Sequence, residues 1–168
     1  MGRPRRGALG ARGRAVGTTP EPYWISYELE TVAGFVSARL MVSVETAART
    51  LELRRDERGR WTADGERLPD VDGALDCDLG LCPLTNTMPV LRHRLHRERG
   101  SREFLMAWVS VPELTVRASR QTYTHLARTS GGGGRVRFVS GTFRRDLDFD
   151  ADGFVLDCPG PARRLTPR

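Results

Sequence analysis

The chain has 168 residues, 39% of them apolar and 29% charged, a balance that suits one core-bearing globular domain and excludes wholesale disorder. No run approaches the roughly 18 apolar residues of a membrane helix, and no apolar segment of a secretory signal follows the arginine-rich start, so a cytoplasmic protein without a membrane span is expected. The net charge of +6 rests on arginine alone, and Arg3, Arg5, Arg6, Arg12 and Arg14 all precede the first acid, Glu21; the body is nearly neutral, which argues against nucleic acid as its partner.

Residues 1–8 are expected to be a flexible Arg/Gly-rich tail and 9–168 a single antiparallel β domain. Residues 23–31 and 35–44 are rich in aromatic and β-branched side chains and flank Val32-Ala33-Gly34, a turn. In 50–55, Leu51 and Leu53 alternate with Glu52 and Arg54. Asp56-Glu57-Arg58-Gly59 predicts a hairpin loop, Trp61 opens the return strand, and Asp64-Gly65 makes a second tight turn. Residues 45–49 have room for one helical turn at most.

Met88 to His96 alternates less cleanly and holds Pro89, which suits an edge strand. Phe104 to Val111 is apolar on both faces and predicts a strand covered on both sides. Pro112 breaks it, and residues 114–126 continue with Leu114, Val116 and Ala118 facing one way. After a glycine-rich loop at 130–134 come strands at 135–139 and 142–149, the second with Phe143, Leu147 and Phe149 on one face. Asp150-Ala151-Asp152-Gly153 turns the chain into a last strand at 154–158. Short strands at regular spacing give an all-β fold, antiparallel throughout.

The chemical motifs are weak. Cys77, Cys82, His93 and His96 have a zinc-like spacing, but histidines three apart on a strand point to opposite faces. Asp148, Asp150, Asp152 and Gly153 match half a calcium loop that lacks its bidentate glutamate, and a hairpin turn explains the same letters. Asp76 and Asp78 would share a strand face, as paired carboxylates do in acid–base catalysis, yet turn-capping aspartates are commoner. Three cysteines (Cys77, Cys82, Cys158) cannot all pair, and reduced thiols are expected. No metal, no cofactor and no catalytic group is therefore expected.

The most distinctive stretch runs Asp76-Cys77-Asp78-Leu79-Gly80-Leu81-Cys82-Pro83-Leu84-Thr85-Asn86-Thr87-Met88-Pro89-Val90. It resembles the signature D-x-D-L-G-x-x-P-x-T-N-T-L-P-I of the bacterial family labelled "putative glycolipid-binding", formerly a domain of unknown function. Ala107-Trp108-Val109 with Pro112-Glu113-Leu114, then Gln121-Thr122-Tyr123, then residues 149–155 with Pro159-Gly160 agree in order with the family's A-W-x…P-x-L, Q-x-Y and closing V-D-x-x-G-x-V…Y-P-G. The chain departs at Cys158, where the family has Tyr, and at Pro161, where Leu is usual. The family also has a further strand or two before the equivalent of Leu9, whose lack would expose a sheet edge.

The resemblance implies a single long antiparallel sheet curled into a roll or open barrel, similar to the carriers that move lipoproteins across the bacterial periplasm. It implies non-catalytic binding of a lipid, glycolipid or similar amphiphile in the concave face, where an apolar cavity is expected. Trp24, Trp61, Phe104, Met106, Trp108 and Phe138 are candidate walls. Asn86 and Thr87 are candidate polar contacts at its mouth, and Asp78, Gln121 and Tyr123 are further pocket candidates. The alternative is binding of nucleic acid or another anionic surface through the arginines of residues 3–14 and 163–168. Neither the ligand nor the oligomeric state follows from the sequence.

Overall fold

The computed structural model describes residues 7–160 and 162–165. With 53% strand and 9% helix the fold is all-β, and one of its two sheets is a strongly curled half-barrel. Most of the tail expected at residues 1–8 lies outside the described residues. The chain divides into two compact units. The first holds residues up to Cys82 together with Leu105–Ala118, and the second holds Pro83–Phe104 with the residues from Ser119 onward.

The first unit is built on a six-stranded antiparallel meander: β1 (Gly10–Gly17), β2 (Tyr23–Val32), β3 (Val36–Val44), β4 (Arg49–Arg55), β5 (Trp61–Ala63) and β6 (Glu66–Arg67). Its turns fall where the sequence places them. At Asp64-Gly65 both residues have positive φ (49° and 88°), the backbone of a two-residue turn matched to strand twist. Period-two alternation then sorts the side chains. Tyr23, Ile25, Leu29, Leu40, Val42, Val44, Leu51, Leu53 and Trp61 face inward and are buried. Each fully buried Leu, Ile or Val contributes roughly 1.5–3 kcal/mol.

Trp61 is wholly buried; its indole N–H donates to the Ala74 carbonyl (2.9 Å) and its backbone N–H to Asp72 Oδ1 (3.2 Å). A β-bulge breaks the β2–β3 register: Glu30 pairs with Arg39 but Thr31 pairs with Ser37, leaving Ala38 as the extra residue. The bulge turns Ser37 inward, where its hydroxyl accepts the Cys77 N–H (3.2 Å).

The second sheet has the order β13-β12-β11-β10-β9-β8-β7, from β7 (Asp76–Leu79), β8 (Ser101–Val109), β9 (Val116–Arg128), β10 (Gly134–Ser140), β11 (Phe143–Phe149), β12 (Val155–Cys158) and β13 (Ala162–Arg163). Two sheets thus stand where one was expected, and β7 and β8 run parallel, Asp76 opposite Met106 and Leu79 opposite Val109. A parallel pair needs a long crossover, and residues 80–100 supply it.

That crossover corrects another expectation. Residues 88–96 are not an edge strand: Pro83–Asn86 is a 3-10 turn leading into a seven-residue helix, α1 (Thr87–His93). Pro89 sits in the helix's first turn, where a missing N–H costs nothing. Met88 and Val90 are buried, and Arg94 ends the helix at φ 53°. On β9 the buried residues are Gln121 and Tyr123, whereas Ala118 is exposed and Leu114 lies in the preceding turn. Leu114, though buried, precedes the strand, so the expected Leu114–Val116–Ala118 face is not continuous.

On the edge strand β1 the inward positions carry Ala11, Gly13, Ala15 and Gly17. Gly13 lies opposite Tyr27 and Gly17 opposite Tyr23, and a Cβ at either glycine would run into the tyrosine ring. The rings take the volume the glycines leave, a cross-strand fit that keeps an edge strand seated. A Gly17→Val substitution should lower stability by about 1–3 kcal/mol through overpacking. The expected result is a reduced urea midpoint at unchanged m-value; an unmoved midpoint would mean that the Tyr23 ring is not held there.

Candidate functional site

The residues singled out from sequence separate into three groups. Asn86, Gln121, Tyr123 and Phe104 come together in the second unit. The Tyr123 hydroxyl lies 2.7 Å from Asn86 Oδ1 and 3.0 Å from Gln121 Oε1. One hydroxyl proton serves one carbonyl oxygen, so at one of these contacts an amide N–H is the donor. Asn86 Nδ2 donates to the Pro83 carbonyl (3.2 Å), which ties the network to the turn before α1. Phe104 meets the Tyr123 ring edge-on at 5.7 Å, and Phe138 lies on its other side at 5.2 Å. Thr87 is fully buried, and its hydroxyl has no hydrogen-bond partner among the described residues.

Tyr123, Phe138, Leu147 and Phe149 are buried in one core cluster with Val90 and Leu95, so these groups are set in packed interior. A Tyr123→Phe change removes two hydrogen bonds of a buried network and should cost about 1–3 kcal/mol. Chemical denaturation of the variant against the parent reads this directly; a neutral result would mean the hydroxyl carries no structural bond.

The second group belongs to the interior of the first unit. Trp61 and Met106 have no exposed surface, and Asp78 is buried on β7 beside the equally buried Asp76. Cys77 lies between these carboxylates. Burial, opposed by its Ser37 contact and reinforced by Asp76 and Asp78, pushes its thiol up to about 12, so it is protonated and unreactive at neutral pH. Trp108 is half-buried, with the Arg117 guanidinium 4.2 Å from its ring centroid.

Trp24 alone forms the third group: it is 51% exposed and faces outward from the first sheet. The register resolves that face into four cross-strand rows. The first is Val16–Trp24. The second is Arg14–Ser26–Ser43–Thr50. The third is Arg12–Glu28–Met41–Glu52. The fourth is Gly10–Glu30–Arg39–Arg54–Thr62–Arg67. At about 3.3 Å per residue, neighbouring rows are roughly 6.6 Å apart and the four span about 20 Å.

Two open clefts occupy this face. One, of about 410 Å³, is lined by Arg12, Arg14, Ser26, Tyr27, Glu28, Met41 and Ser43. The other, of about 540 Å³, is bordered by Glu30, Ala38, Arg39, Arg54, Arg60 and Arg67 among others. Most of the side chains that line them are polar or charged. Of the lining residues only Arg12 and Arg14 were singled out from sequence, as part of the arginine-rich start; the signal of the others was the polar half of the alternation in β2, β3 and β4.

Charge on this face is tightly paired. Glu52 accepts from Arg39 Nε (2.7 Å) and from Arg54 Nε (2.9 Å), and these guanidinium contacts hold its carboxyl down at about 2. Arg39 also reaches Glu28 and Glu30 at 3.6 and 3.5 Å, and Arg12 pairs with Glu28 at 3.1 Å. Arg14 has no carboxylate partner among the described residues. Because the folded state binds the Glu52 proton more weakly than the unfolded chain does, its stabilisation is complete above about pH 4.5 and is lost as pH falls toward about 2. A Glu52→Gln variant should have a flatter stability profile across that window than the parent; parallel profiles would show that the shared carboxylate does not form.

The suspected calcium loop is a turn whose carboxylates are engaged. Asp150 Oδ1 accepts the N–H groups of Asp152 (3.0 Å) and Phe154 (2.9 Å), Asp150 Oδ2 accepts from Arg164, and Asp148 is bidentate with Arg135. No cluster of three or more His, Cys, Asp or Glu among the described residues is arranged for a metal. The three cysteines are buried, and none forms a disulfide among the described residues. Of the terminal arginines, Arg3, Arg5, Arg6 and Arg168 lie outside the described residues, Arg12 is paired with Glu28, and Arg164 with Asp150. No described helix is long and apolar enough to cross a membrane.

Comparison with known proteins gives two positive findings. The model of a family described as "putative glycolipid-binding" matches residues 3–164. A crystal structure of a DUF1089 family protein from Pseudomonas aeruginosa superposes with a TM-score of 0.74 at 30% sequence identity, covering 98% of this chain and 96% of that one. No curated protein matches.

Proposed function

Since the chain belongs to the "putative glycolipid-binding" family, we propose that it binds a lipid, glycolipid or similar amphiphile and leaves it chemically unchanged. Family membership carries this reading, and a strongly curled sheet is the architecture that offers an amphiphile a concave surface. The chemistry of the first unit is compatible with it: arginine guanidinium groups, serine hydroxyls and carboxylates around Met41 are hydrogen-bonding partners for a polyhydroxylated head group.

Native mass spectrometry of the protein purified from a bacterial lysate tests the reading. A mass in the lipid range that is retained under gentle conditions and released on denaturation is expected. A bare polypeptide mass, repeated after incubation with a total lipid extract, would overturn it.

A further inference from the structure

His96 lies in the turn that follows α1 in the second unit. It is only 4% exposed, and its Nδ1 has no hydrogen-bond partner among the described residues. Two glycines let the chain close around it. A Cβ at Gly153 would stand 3.2 Å from His96 Cε1 and would strike the Leu91 side chain, and a Cβ at Gly134 would strike the His96 carbonyl. Gly153 has φ 83°, so the tight turn between β11 and β12 and this close approach both call for glycine there. The ring's polar contact is with the backbone of Ala151, whose carbonyl also accepts from Arg97. His96 thus joins three stretches: the segment after α1, the start of β10 and the β11–β12 turn.

We propose that His96 is a proton-sensitive latch: neutral, it fastens the segment after α1 to the β11–β12 turn, and protonated in mild acid it releases the two from each other. A neutral ring that donates to Ala151 leaves Nδ1 as a bare lone pair. Protonating that atom would bury a charged donor with no acceptor beside it. The surrounding charges do not supply one. Arg97 and Arg94, on its own segment, oppose the proton, and Arg94 is itself paired with Glu98 at 3.1 Å. Asp150, on the turn, favours the proton, but its oxygens already accept from the Asp152 and Phe154 N–H groups and from Arg164. His125 on β9 is engaged with the Leu95 carbonyl at 2.7 Å. Burial foremost, then the two arginines, hold the His96 pKa below the ordinary 6.5. The folded state therefore binds this proton more weakly than the unfolded chain. The stabilisation is complete above about pH 6.5 and falls as the pH drops toward the lowered folded value. Glu52 responds only below about pH 4.5, so the two acid responses are separable.

Amide hydrogen exchange of the whole chain, corrected for the intrinsic pH dependence of the exchange chemistry, tests the latch. The reporters are Leu95, whose N–H donates to the Val90 carbonyl, and Asp152, Gly153 and Phe154, whose N–H groups donate to Asp150. Between about pH 7 and about pH 5 their opening should grow several-fold, at no more than about tenfold per pH unit for one proton. His96→Gln keeps an N–H donor for Ala151 but does not titrate, and should flatten that dependence. Opening that ignores pH in the parent, or an undiminished slope in folded His96→Gln, would overturn the proposal. If the variant misfolds, the parent decides alone through an NMR titration of the His96 ring. A neutral ring with Nδ1 unprotonated at neutral pH and a midpoint below 6.5 is expected, and a midpoint at or above 6.5 would overturn the latch.

Discussion

The first sheet can carry a charged, solvent-facing surface because its other side is buried with almost no polar remainder. The constraint is strict alternation: once Ile25, Leu29, Leu40, Val42, Leu51 and Leu53 are committed inward, every intervening residue is committed outward. Trp61 fixes this arrangement at the far end of the meander, because burying an indole N–H without an acceptor would cost as much as a lost hydrogen bond. The Ala74 carbonyl meets that need and also accepts from Arg55 Nε (2.9 Å). A one-residue slip in any of these strands would exchange core for surface.

In the first sheet the bulge at Ala38 breaks the alternation. It lets adjacent positions serve different masters: Ser37 ties β3 to the backbone at Cys77, and Arg39 reaches three carboxylates on the opposite face. Exposed ion pairs of this kind add little stability individually. Their effect is orientation, since Arg39 and Arg54 are held by Glu52 in a fixed relation.

Much of the fold was legible because its signals are local. The turns at Asp56–Gly59 and Asp64-Gly65, the alternation around Leu51 and Leu53, and the family motifs all rest on neighbours in sequence. The failures have physical causes. Seven residues of helix are too few to display a 3.6-residue stripe, and Pro89 reads as a strand breaker until its place in the first turn is known. The parallel β7–β8 pair depends on that helical crossover and was hidden with it. Gln121 and Tyr123 are core residues through a polar network whose third member, Asn86, is 35 positions earlier in the chain than Gln121. Apart from Trp24, Arg12 and Arg14 the outward rows were not legible, because a polar alternate residue is indistinguishable from ordinary solvent-facing surface until register sets Arg12, Glu28, Met41 and Glu52 side by side.

The absence of lysine has a consequence for the outward face that goes beyond charge counting. Its cations are guanidinium groups, which stay protonated at any pH a cell encounters, and Glu52 ionises well below that range. The face also holds no histidine, the side chain that would sense mild acidity. Its electrostatic pattern is therefore a fixed stencil. Acidification on the scale of an endosome or a proton gradient would leave it unchanged.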